Sequence, residues 1–421
     1  MSQKQINILL VPSDLAGVGH YRSIWPGQEI NRKHPEDFRV EIDHMPDFGN
    51  IEFFKQFDII HFHRQLGPYQ NQESFIRELR NSGVTVIMDL DDYWLPTKDH
   101  PMYGAAMQEK LPEKITSTFG MVDYVTTTTD IFARYISKFN KNVHVVPNAI
   151  DMTHPMWKNE DTKVGERVRV SWIGGSSHMK DLELLKSSMN ILHNDESLNG
   201  KYQIVMCGYD VRGFITEVDQ NGNVIQNRKI YPHETIWNKF EEVFTDNYNP
   251  KLIPENYKNY LLKYENTNFK DFDVYGSGYV RRWTLPLTQY GKHYNYCDVC
   301  LAPLAENTFN EVKSELKIIE AGLTKKVLIA QEFGIYKELI ENGKNGILIP
   351  KNKNIRGWYE AIKKVVNDTE YREMLANNLY DFVKNKYTLE IVTEERAQWY
   401  REVYEKSKSQ RVLEGVTGQS I

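Results

Sequence analysis

The sequence predicts an α/β protein of two Rossmann-like domains, and three observations lead to that prediction. The length of 421 residues is about two to three times that of a usual domain. Short β-rich runs alternate with amphipathic helical patterns, which is typical of a parallel sheet covered by helices. This alternation starts a second time at RVRVSWIGG, after an irregular polar stretch that contains two prolines. We therefore expect the sheet to be built twice.

Residues 1–152 form the predicted first domain. Its expected strands are INILLVP, FRVEIDHM, FDIIHFHR, VTVIMDLD, DYVTTTT and VHVVPN. Stretches such as QESFIRELRNSG lie between them and carry apolar residues at helical spacing. The first domain is thus predicted to be one parallel sheet with helical crossovers.

Residues 153–390 form the predicted second domain, with strands RVRVSWIGG, YQIVMCG, CDVCLAPL, KVLIAQ and GILIP. A segment of about 209–275 interrupts the pattern and is predicted to be an inserted surface appendage with a hairpin turning at 220–223. Two helical patterns follow GILIP. A helix over 391–410 is then expected to return to the first domain, and residues 411–421 to form a flexible tail.

Composition excludes several classes of protein. With 40% hydrophobic and 26% charged residues the chain is an ordinary globular one, and no apolar run approaches the about 18 residues of a membrane span. A net charge of −5 gives no overall basic field for nucleic acid. The sparse cysteines Cys207, Cys297 and Cys300 argue against a disulfide framework, and the N-terminal run is too short for a secretory signal. A cytoplasmic protein is expected.

Cys297 and Cys300 form a C-x-x-C pair within YNYCDVCLAPL. Zinc needs a second pair of ligands at compatible spacing, and none is evident in the sequence. The pair lies where a helix is expected to run into a buried strand. We predict a structural role for it and no metal site.

The most informative block is residues 301–350, where a strand ends at Pro303 and a polar loop leads into a helix predicted to start near Lys313 or Ser314. Lys313, Lys317 and Glu320 follow one another at spacings of four and three, which places them on one helix face. Helix starts at the carboxyl ends of parallel strands bind phosphates. The lysines would neutralise a diphosphate, and Glu320 would accept hydrogen bonds from a ribose.

This block resembles the donor site of GT-B glycosyltransferases related to glycosyltransferase family 4, the glycosyl transferases group 1. Glu320-Ala321-Gly322, the strand VLIA, Glu338 and the N-G-I-L-I-P run match that family in order. The resemblance implies two Rossmann-like domains facing each other across a cleft. It also implies a nucleotide-diphosphate sugar as donor, and retention of anomeric configuration.

The sequence departs from the family pattern at one position. The family places a second glutamate eight residues before the ribose glutamate, and here that residue is Val312. Glu311 is one place away, and the pattern FN-x-x-KS resembles a sub-branch in which Asn310, Lys313 and Ser314 form the loop. These residues and Lys317 are therefore predicted to bind the donor.

A second signal is SWIGGSSHMKDLELL, where a strand ends in two glycines and a helix begins near Lys180 or Asp181. In the resembled family a glycine and then a basic residue reach the donor diphosphate at this point. That places Gly175 and Lys180 at the donor, with His178 as a weaker candidate. Two glycines by themselves are equally consistent with ordinary turn chemistry.

The loop after the first strand contains Gly17 and Gly19, which permit close approach of the backbone to a ligand. Arg22 stands where the third glycine of a G-x-G-x-x-G motif would be, so a dinucleotide site is disfavoured. The resemblance places this loop opposite the donor phosphates. His20, Tyr21 and Arg22 are therefore candidates for the acceptor side, against the alternative of a plain strand-to-helix turn.

The run MDLDDYWLP places Asp91 and Asp92 at the end of a strand. Asp-x-Asp read alone suggests a metal site, but fixed lysines already supply the charge that a departing diphosphate needs. Asp91 and Asp92 are interpreted as acceptor-side or structural residues. Further along, Arg281 and Arg282 precede a helical pattern. We expect Arg281 to contact the donor and its neighbour to belong to a surface pair.

Together these patterns predict a metal-independent hexosyltransferase in which Lys180, Lys313 and Glu320 carry the chemistry. The donor is a nucleotide-diphosphate sugar, and no tightly bound cofactor is expected. The acceptor stays open between glycan, lipid, protein and modified DNA, and peripheral membrane contact is left open. The alternatives are an epimerase or phosphorylase of the same fold, and a non-catalytic protein that binds nucleotides or carbohydrates.

Overall fold

The computed structural model describes residues 4–160, 162, 165–218, 220, 224–262 and 277–417. By compactness the chain divides into two units. The first unit consists of Met1–Met152, Asn307–Ile319 and Val383–Ile421. The second consists of Thr153–Glu306 and Glu320–Phe382. Each unit contains its own parallel sheet, so the predicted fold class of two Rossmann-like domains is confirmed.

The described sheet of the first unit has six parallel strands in the order β2-β1-β3-β4-β5-β6. Each of the six predicted runs contains one of them, because each is a short apolar stretch bounded by polar or turn residues. The strands are β1 (Ile6–Val11), β2 (Phe38–Ile42), β3 (Ile59–His63), β4 (Thr85–Leu90), β5 (Tyr124–Thr127) and β6 (Val143–Val145).

The described sheet of the second unit is also parallel, in the order β11-β8-β7-β12-β13-β14. Its strands are β7 (Val168–Ile173), β8 (Tyr202–Tyr209), β11 (Tyr279–Trp283), β12 (Val299–Ala302), β13 (Val327–Gln331) and β14 (Ile347–Ile349). The antiparallel pair β9 (Phe214–Val218) and β10 (Val224–Lys229) forms the predicted hairpin, although residues 219 and 221–223 at its turn lie outside the described residues.

The helices connect and cover these strands. In the first unit and its returning segments they are α1 (Gly17–Gly19) continuing through a π-helical stretch (His20–Ile24) into α2 (Trp25–Lys33), α3 (Ile51–Phe54), α4 (Tyr69–Asn81), α5 (Tyr103–Gln108), α6 (Leu111–Met121), α7 (Asp130–Ile136), α12 (Thr308–Glu311) and α17 (Leu389–Thr417). The others are α8 (Met179–Glu183), α9 (Lys186–Asn194), α10 (Ile236–Thr245), α11 (Glu255–Leu261), α13 (Leu316–Leu323), α14 (Gly334–Leu339), α15 (Gly357–Asn367) and α16 (Thr369–Lys384). Among the described helices, none combines the length and the apolar character that crossing a membrane requires.

Helix α17 packs within the first unit through an aromatic patch. Trp399 stacks on His144 with ring centroids 4.6 Å apart, and the Tyr400 hydroxyl lies 2.6 Å from His61 Nδ1. Both aromatic side chains are buried together with residues of β1, β2 and β3. The helix continues to Thr417, into the segment predicted as a tail.

The insertion after β8 is not only a surface appendage, contrary to the prediction. Helices α10 and α11 bury Trp237, Phe240 and Leu261 in the main apolar core of the second unit. The exposed part is the hairpin, where Val224 and Ile225 are largely accessible to solvent. Residues 263–276 of the predicted insertion lie outside the described residues.

Strand order places a switch point in each sheet. In the first unit β1 is flanked by β2 and β3; in the second β7 is flanked by β8 and β12. Numbered within its own unit, the second sheet has the Rossmann order 3-2-1-4-5-6. Ligands of such sheets bind outside the carboxyl ends of the strands at the switch point. We therefore expect ligands to bind at the loops after β1 and β3 in the first unit, and at those after β7 and β12 in the second.

Candidate functional site

At the switch point of the first unit, His63 links the ends of three strands. Its Nδ1 lies 2.8 Å from Ser13 Oγ in the loop after β1, and its Nε2 lies 2.9 Å from Asp91 Oδ1 after β4. The ring is buried, whereas Ser13 is exposed. His63 thus fixes the positions of both loops.

Asp14 organises the loop that carries the predicted glycines. Its Oδ1 accepts hydrogen bonds from the backbone N–H groups of Ala16 and Gly19, at 2.8 and 3.1 Å. A Cβ on Gly19 would lie 1.9 Å from the Asp14 carbonyl oxygen. Gly19 is therefore required by this internal turn, whereas Gly17 at the start of the helix faces open space.

The three residues after Gly19 are helical and differ in accessibility. His20 Nδ1 lies 2.8 Å from the Ala16 carbonyl oxygen, and its ring packs edge-on against Trp25. The Tyr21 ring is buried against the same tryptophan, with centroids 4.9 Å apart. Of the two, His20 is the half-exposed one.

Arg22 has an internal role instead of the predicted acceptor contact. Its side chain is buried and donates two hydrogen bonds to Asp89, at 2.9 and 2.7 Å, and further ones to Val146 and Asn148. Burial opposes the charged form of Asp89, but the adjacent guanidinium holds the pKa of that carboxyl well below its usual range. The pair joins helix, strand and linker inside the first unit.

Asp91 and Asp92 form a charged cluster with Arg64 at the end of β4. Arg64 Nη2 lies 3.2 Å from Asp91 Oδ1 and 3.7 Å from Asp92 Oδ2. Burial would raise the pKa of Asp91, but His63 and Arg64 together lower it. Partial burial and the neighbouring Asp91 charge raise the pKa of Asp92. Its side chain nevertheless remains 42% exposed. Asp92 is thus the carboxylate of this cluster that a ligand can reach.

The predicted donor loop begins with Asn307, whose side chain accepts a hydrogen bond from the Asn310 N–H and caps the short helix α12. Asn310 is buried, and Lys313 and Ser314 are half-buried in the connection that follows. Helix α13 begins at Leu316, two to three residues later than predicted. Lys317 and Glu320 therefore share a helix, but Lys313 precedes it.

Lys313 lies over the Phe309 ring, with its Nζ 5.6 Å from the centroid. Its charge acts on Asp92 and on His100 across the loop. Val312 is fully buried in the core of the first unit, and Glu311 accepts a hydrogen bond from the Tyr135 hydroxyl at 2.7 Å. Neither side chain is placed to supply the glutamate that the family pattern has here.

In the second unit, Asp181 links the loops after β7 and β12. Its Oδ1 accepts a hydrogen bond from the Ala305 N–H at 2.7 Å, and its Oδ2 lies 2.7 Å from His178 Nδ1. Gly175 is exposed and faces open space, and Lys180 is 59% exposed with Glu183 at 3.3 Å. The structure thus brings Gly175, His178 and Lys180 together at the switch point.

Glu320 is buried and accepts a hydrogen bond from the Tyr294 hydroxyl at 2.7 Å. Burial and the Glu320 charge raise the pKa of Tyr294 well above its ordinary value, so the tyrosine remains a hydrogen-bond donor. The hydroxyl thus fixes the carboxylate of Glu320, whose contact with a ribose stays a prediction.

Arg281 lies in β11 and is enclosed by the second unit, at odds with the predicted donor contact. Its Nη1 lies 3.1 Å from Glu241 Oε2, and its guanidinium packs on the Tyr209 ring at 4.2 Å. Arg281 and Arg282 are both at most 5% exposed, so the expected surface arginine is also wrong. A buried pair of this kind has a structural role.

Sequence reasoning missed His63, Arg64, Asp181 and Tyr294. Their partners are 3 to 124 residues away in the chain, and none stands in a pattern with a known spacing. Among the described residues, no group of three or more His, Cys, Asp and Glu side chains has the arrangement of a metal site. Cys297 and Cys300 are buried and form no disulfide in the described part of the chain, and burial raises the pKa of the Cys297 thiol.

Comparison with known proteins matches part of the chain to a family. Residues 267–368 match the model of the family described as "Glycosyl transferases group 1". An 86-residue stretch, 20% of this chain, is 29% identical to the alpha-D-kanosaminyltransferase of Streptomyces kanamyceticus. That match spans 22% of the length of the curated relative. The resemblance predicted from residues 301–350 is confirmed for this part of the sequence.

Solved structures similar to the whole chain share its fold. They include the sucrose-phosphate synthase of Thermosynechococcus elongatus, with a TM-score of 0.60 and 12% identity over 96% of this chain and 100% of the other. Anabaena HepE in complex with UDP-glucose has a TM-score of 0.57 and 12% identity over 94% and 100%. A glycosyltransferase from Rickettsia africae has a TM-score of 0.58 and 12% identity over 96% and 99%. At this identity the likeness shows the two-domain GT-B fold alone.

Proposed function

We propose that this protein transfers a sugar from a nucleoside diphosphate sugar to an acceptor. One observation carries the proposal: the segment matching the glycosyltransferase family contains Glu320, and the structure fixes that buried carboxylate with Tyr294. The solved structure of Anabaena HepE was obtained with UDP and with UDP-glucose, which supports a uridine nucleotide as the first donor to test.

The donor site of this proposal includes the loop after β7 of the second unit. Gly175 leaves the backbone open to a phosphate, Lys180 supplies an exposed cation, and His178 is held by Asp181. Glu320 would accept hydrogen bonds from the ribose hydroxyls. Ser314, just before α13, and Lys317, in its first turn, complete the proposed set. Arg281 is excluded because Glu241 and the Tyr209 ring engage its guanidinium.

In the reaction, the bond between the anomeric carbon and the diphosphate oxygen breaks, and its electron pair leaves with the diphosphate. The acceptor oxygen forms the new bond to that carbon and loses its proton. Positive charge placed where the leaving group develops negative charge lowers the barrier. Lys180 and Lys313 supply that charge in the proposal, in place of a metal ion. Retention of configuration is part of the proposal through the family resemblance.

The burial of Val312 supports one alternative. Without a carboxylate at that position, the protein would be a non-catalytic nucleotide- or carbohydrate-binding protein that keeps the fold. It would bind the nucleotide but not release it from a nucleotide sugar. An epimerase or phosphorylase has no such observation in its favour.

Nucleotide binding is tested by thermal shift with UDP, GDP, ADP, CMP and their sugars. A ligand at about 100 times its Kd adds roughly 2.7 kcal/mol of stability. We expect one nucleotide diphosphate to stabilise the protein and Glu320→Gln to weaken that binding by about 10- to 100-fold, since hydrogen bonds to charged groups contribute about 1.5–3 kcal/mol. Glu370→Gln, at an exposed glutamate on α16, is the matched control. If no nucleotide stabilises the protein at millimolar concentration, the proposal fails.

A further inference from the structure

The first unit contains a cavity of about 190 Å³ beside the charged cluster of Arg64, Asp91 and Asp92. The segment after β4, helices α5 and α6, and Phe309 line it, and one side is open to solvent. Its lining consists of Arg64, Leu90, Asp92, Tyr93, Trp94, Pro96, His100, Met102, Ala105, Ala106, Glu109, Leu111, Ile115 and Phe309. Most of these side chains are apolar or aromatic, so the wall is mainly apolar.

Other aromatic residues pack against the aromatic side chains of the wall and fix their positions. Trp94 is buried, stacks on Phe132 with centroids 6.1 Å apart, and meets Phe119 edge-on at 5.0 Å. Tyr93 packs against Trp94 at 4.5 Å, and His100 against Phe309 at 5.2 Å. A preformed wall loses little conformational entropy when a ligand binds. These contacts favour recognition of a flat ring.

The size of the cavity limits its ligand. Pockets for drug-sized molecules occupy about 300–1,000 Å³, whereas an apolar cavity of about 150 Å³ holds benzene. A volume of about 190 Å³ therefore accommodates a single small ring system. A sugar ring would leave several hydroxyls facing apolar groups, and each buried polar group without a partner opposes binding.

One end of the cavity is polar and lies beside Lys313, the residue of the first unit that the proposed reaction uses. Asp92 lies on the wall, with Arg64 Nη2 3.7 Å from its carboxylate. Lys313 lies over Phe309, another wall residue, and its charge acts on Asp92. A hydroxyl on a ring in this cavity would donate its hydrogen bond to Asp92.

We propose that this cavity is the acceptor subsite, and that the acceptor carries its reacting hydroxyl on an apolar, preferably aromatic, ring. The inference rests on the proposed function and narrows its acceptor. The sugar would be transferred to the ring hydroxyl while Asp92 receives its proton. Exposed Met102, at 59%, and Leu95, at 41%, extend the apolar surface beside the cavity, where the rest of the acceptor would lie.

The test uses calorimetric titration of 4-methylumbelliferone, a small phenol, into the full chain without any nucleotide. We expect wild-type binding that weakens at least tenfold in Ala105→Phe, which fills the cavity from α5. Gln108→Phe, an exposed position of the same helix outside the lining, should bind as wild type does. Met102→Gln gives a second variant that keeps the helix, and Asp92→Asn should also weaken binding.

Two other probes are titrated in parallel, methyl α-D-glucopyranoside and the isoprenoid alcohol farnesol. Preference for either over the phenol overturns the inference, as does equal binding of the phenol to wild type and Ala105→Phe. Because no nucleotide is present, this result is separate from the nucleotide test. Nucleotide binding without phenol binding rejects the acceptor subsite and leaves the proposed function standing. Phenol binding without nucleotide binding rejects the proposed function, and with it the role of the cavity as an acceptor subsite.

Discussion

Glu315, immediately before α13, is a buried carboxyl that no motif indicated. Its Oε1 accepts a hydrogen bond from the Asn148 N–H at 2.7 Å, and its Oε2 has no hydrogen-bond partner in the described part of the chain. Burial raises the pKa of Glu315 to about 7, against backbone hydrogen bonds and the charges of Arg22 and Lys386. The folded protein therefore holds a proton that the unfolded chain releases near pH 4.5.

The sign of this linkage predicts the effect of Glu315→Gln. Stability from the protonated carboxyl is present below about pH 4.5 and is lost as the pH rises through 7. The amide keeps an acceptor for Asn148 and cannot ionise, so we expect the variant to be more stable than wild type by up to about 3 kcal/mol at pH 8. At pH 5 the difference should nearly vanish. Urea unfolding at both pH values measures it.

An exposed substitution in the same unit, Glu36→Gln, serves as the control and should show no such dependence on pH. A Glu315→Gln variant that is destabilised equally at pH 5 and pH 8 would contradict the buried, protonated carboxyl. That outcome would indicate that the residue is ionised in the folded protein throughout this range.

Variants of Arg281 test whether this residue belongs to a buried ion pair with Glu241 and not to the donor site. Removing one partner of a buried ion pair leaves the other charge without compensation and costs about 3–5 kcal/mol. We expect Arg281→Met to lower the free energy of unfolding by that amount, because Glu241 and the guanidinium are both buried. The double variant Arg281→Met with Glu241→Met should recover most of the loss. Unfolding curves of the two variants measure both free energies.

If Arg281 contacted the donor, the result would differ. Both variants would then lose nucleotide binding in the thermal-shift panel while their stability without ligand stayed near that of wild type. The expected pattern of large loss and rescue in stability is specific to an internal pair.

The family pattern predicted which elements carry the candidate donor residues. Glu320 lies in α13 and Gly175 in the loop after β7, and their contacts with a donor stay predictions. Arg22 was misread, because sequence alone does not show that Asp89 faces it from β4. His63 and Asp181 went unnoticed for the same reason: their partners are brought close only by the folded sheet.

At the scale of single elements, the loop after β7 depends on a close approach of two backbones. Gly208 in β8 has a φ of +106°, and a Cβ there would lie 2.1 Å from the Gly174 carbonyl oxygen. Gly174 directly precedes the proposed phosphate contact at Gly175. The conformation of the donor loop is thus coupled to a residue outside it.

We expect Gly208→Ala to cost about 2–5 kcal/mol, from backbone strain and overpacking together. Gly200 is the matched control, since its φ of +73° is also in the left-handed region but a Cβ there meets nothing within 4 Å. Gly200→Ala should cost only about 1–2 kcal/mol. Chemical unfolding compares them, and equal losses at the two positions would contradict the close approach.

Strand β11 shows why one element escaped prediction. Its sequence, YVRRW, has two adjacent arginines, which are rare in a buried strand. Glu241 and the Tyr209 ring make the burial of Arg281 tolerable, but α10 and β8 supply them from elsewhere in the sequence. The start of α13 was misplaced by two to three residues, because Lys313 and Ser314 are compatible with a first helical turn by composition alone.

At the scale of the whole molecule, the repeated strand pattern was enough to predict two parallel sheets. The six runs of the first unit and five of the second each contain a strand, since buried parallel strands are short apolar runs between polar turns. The order of the strands could not be predicted from the sequence. The packing of Asn307–Ile319 within the first unit could not be predicted either. Val312 contributes to that packing, because its side chain belongs to an apolar core that is otherwise formed by residues of the first 152.

The most direct test of glycosyl transfer is to measure release of the nucleotide from UDP-glucose and from GDP, ADP and CMP sugars, with mass spectrometry of the products. The leaving group is the nucleoside diphosphate for the first three and CMP for the last. Wild type should release one nucleotide, faster in the presence of a phenolic acceptor, and form the acceptor glycoside. Lys180→Met and Lys313→Met should each slow release by at least about tenfold, since each removes charge at the leaving diphosphate. Tight nucleotide binding without release from any sugar nucleotide would contradict transfer and identify a binding protein instead.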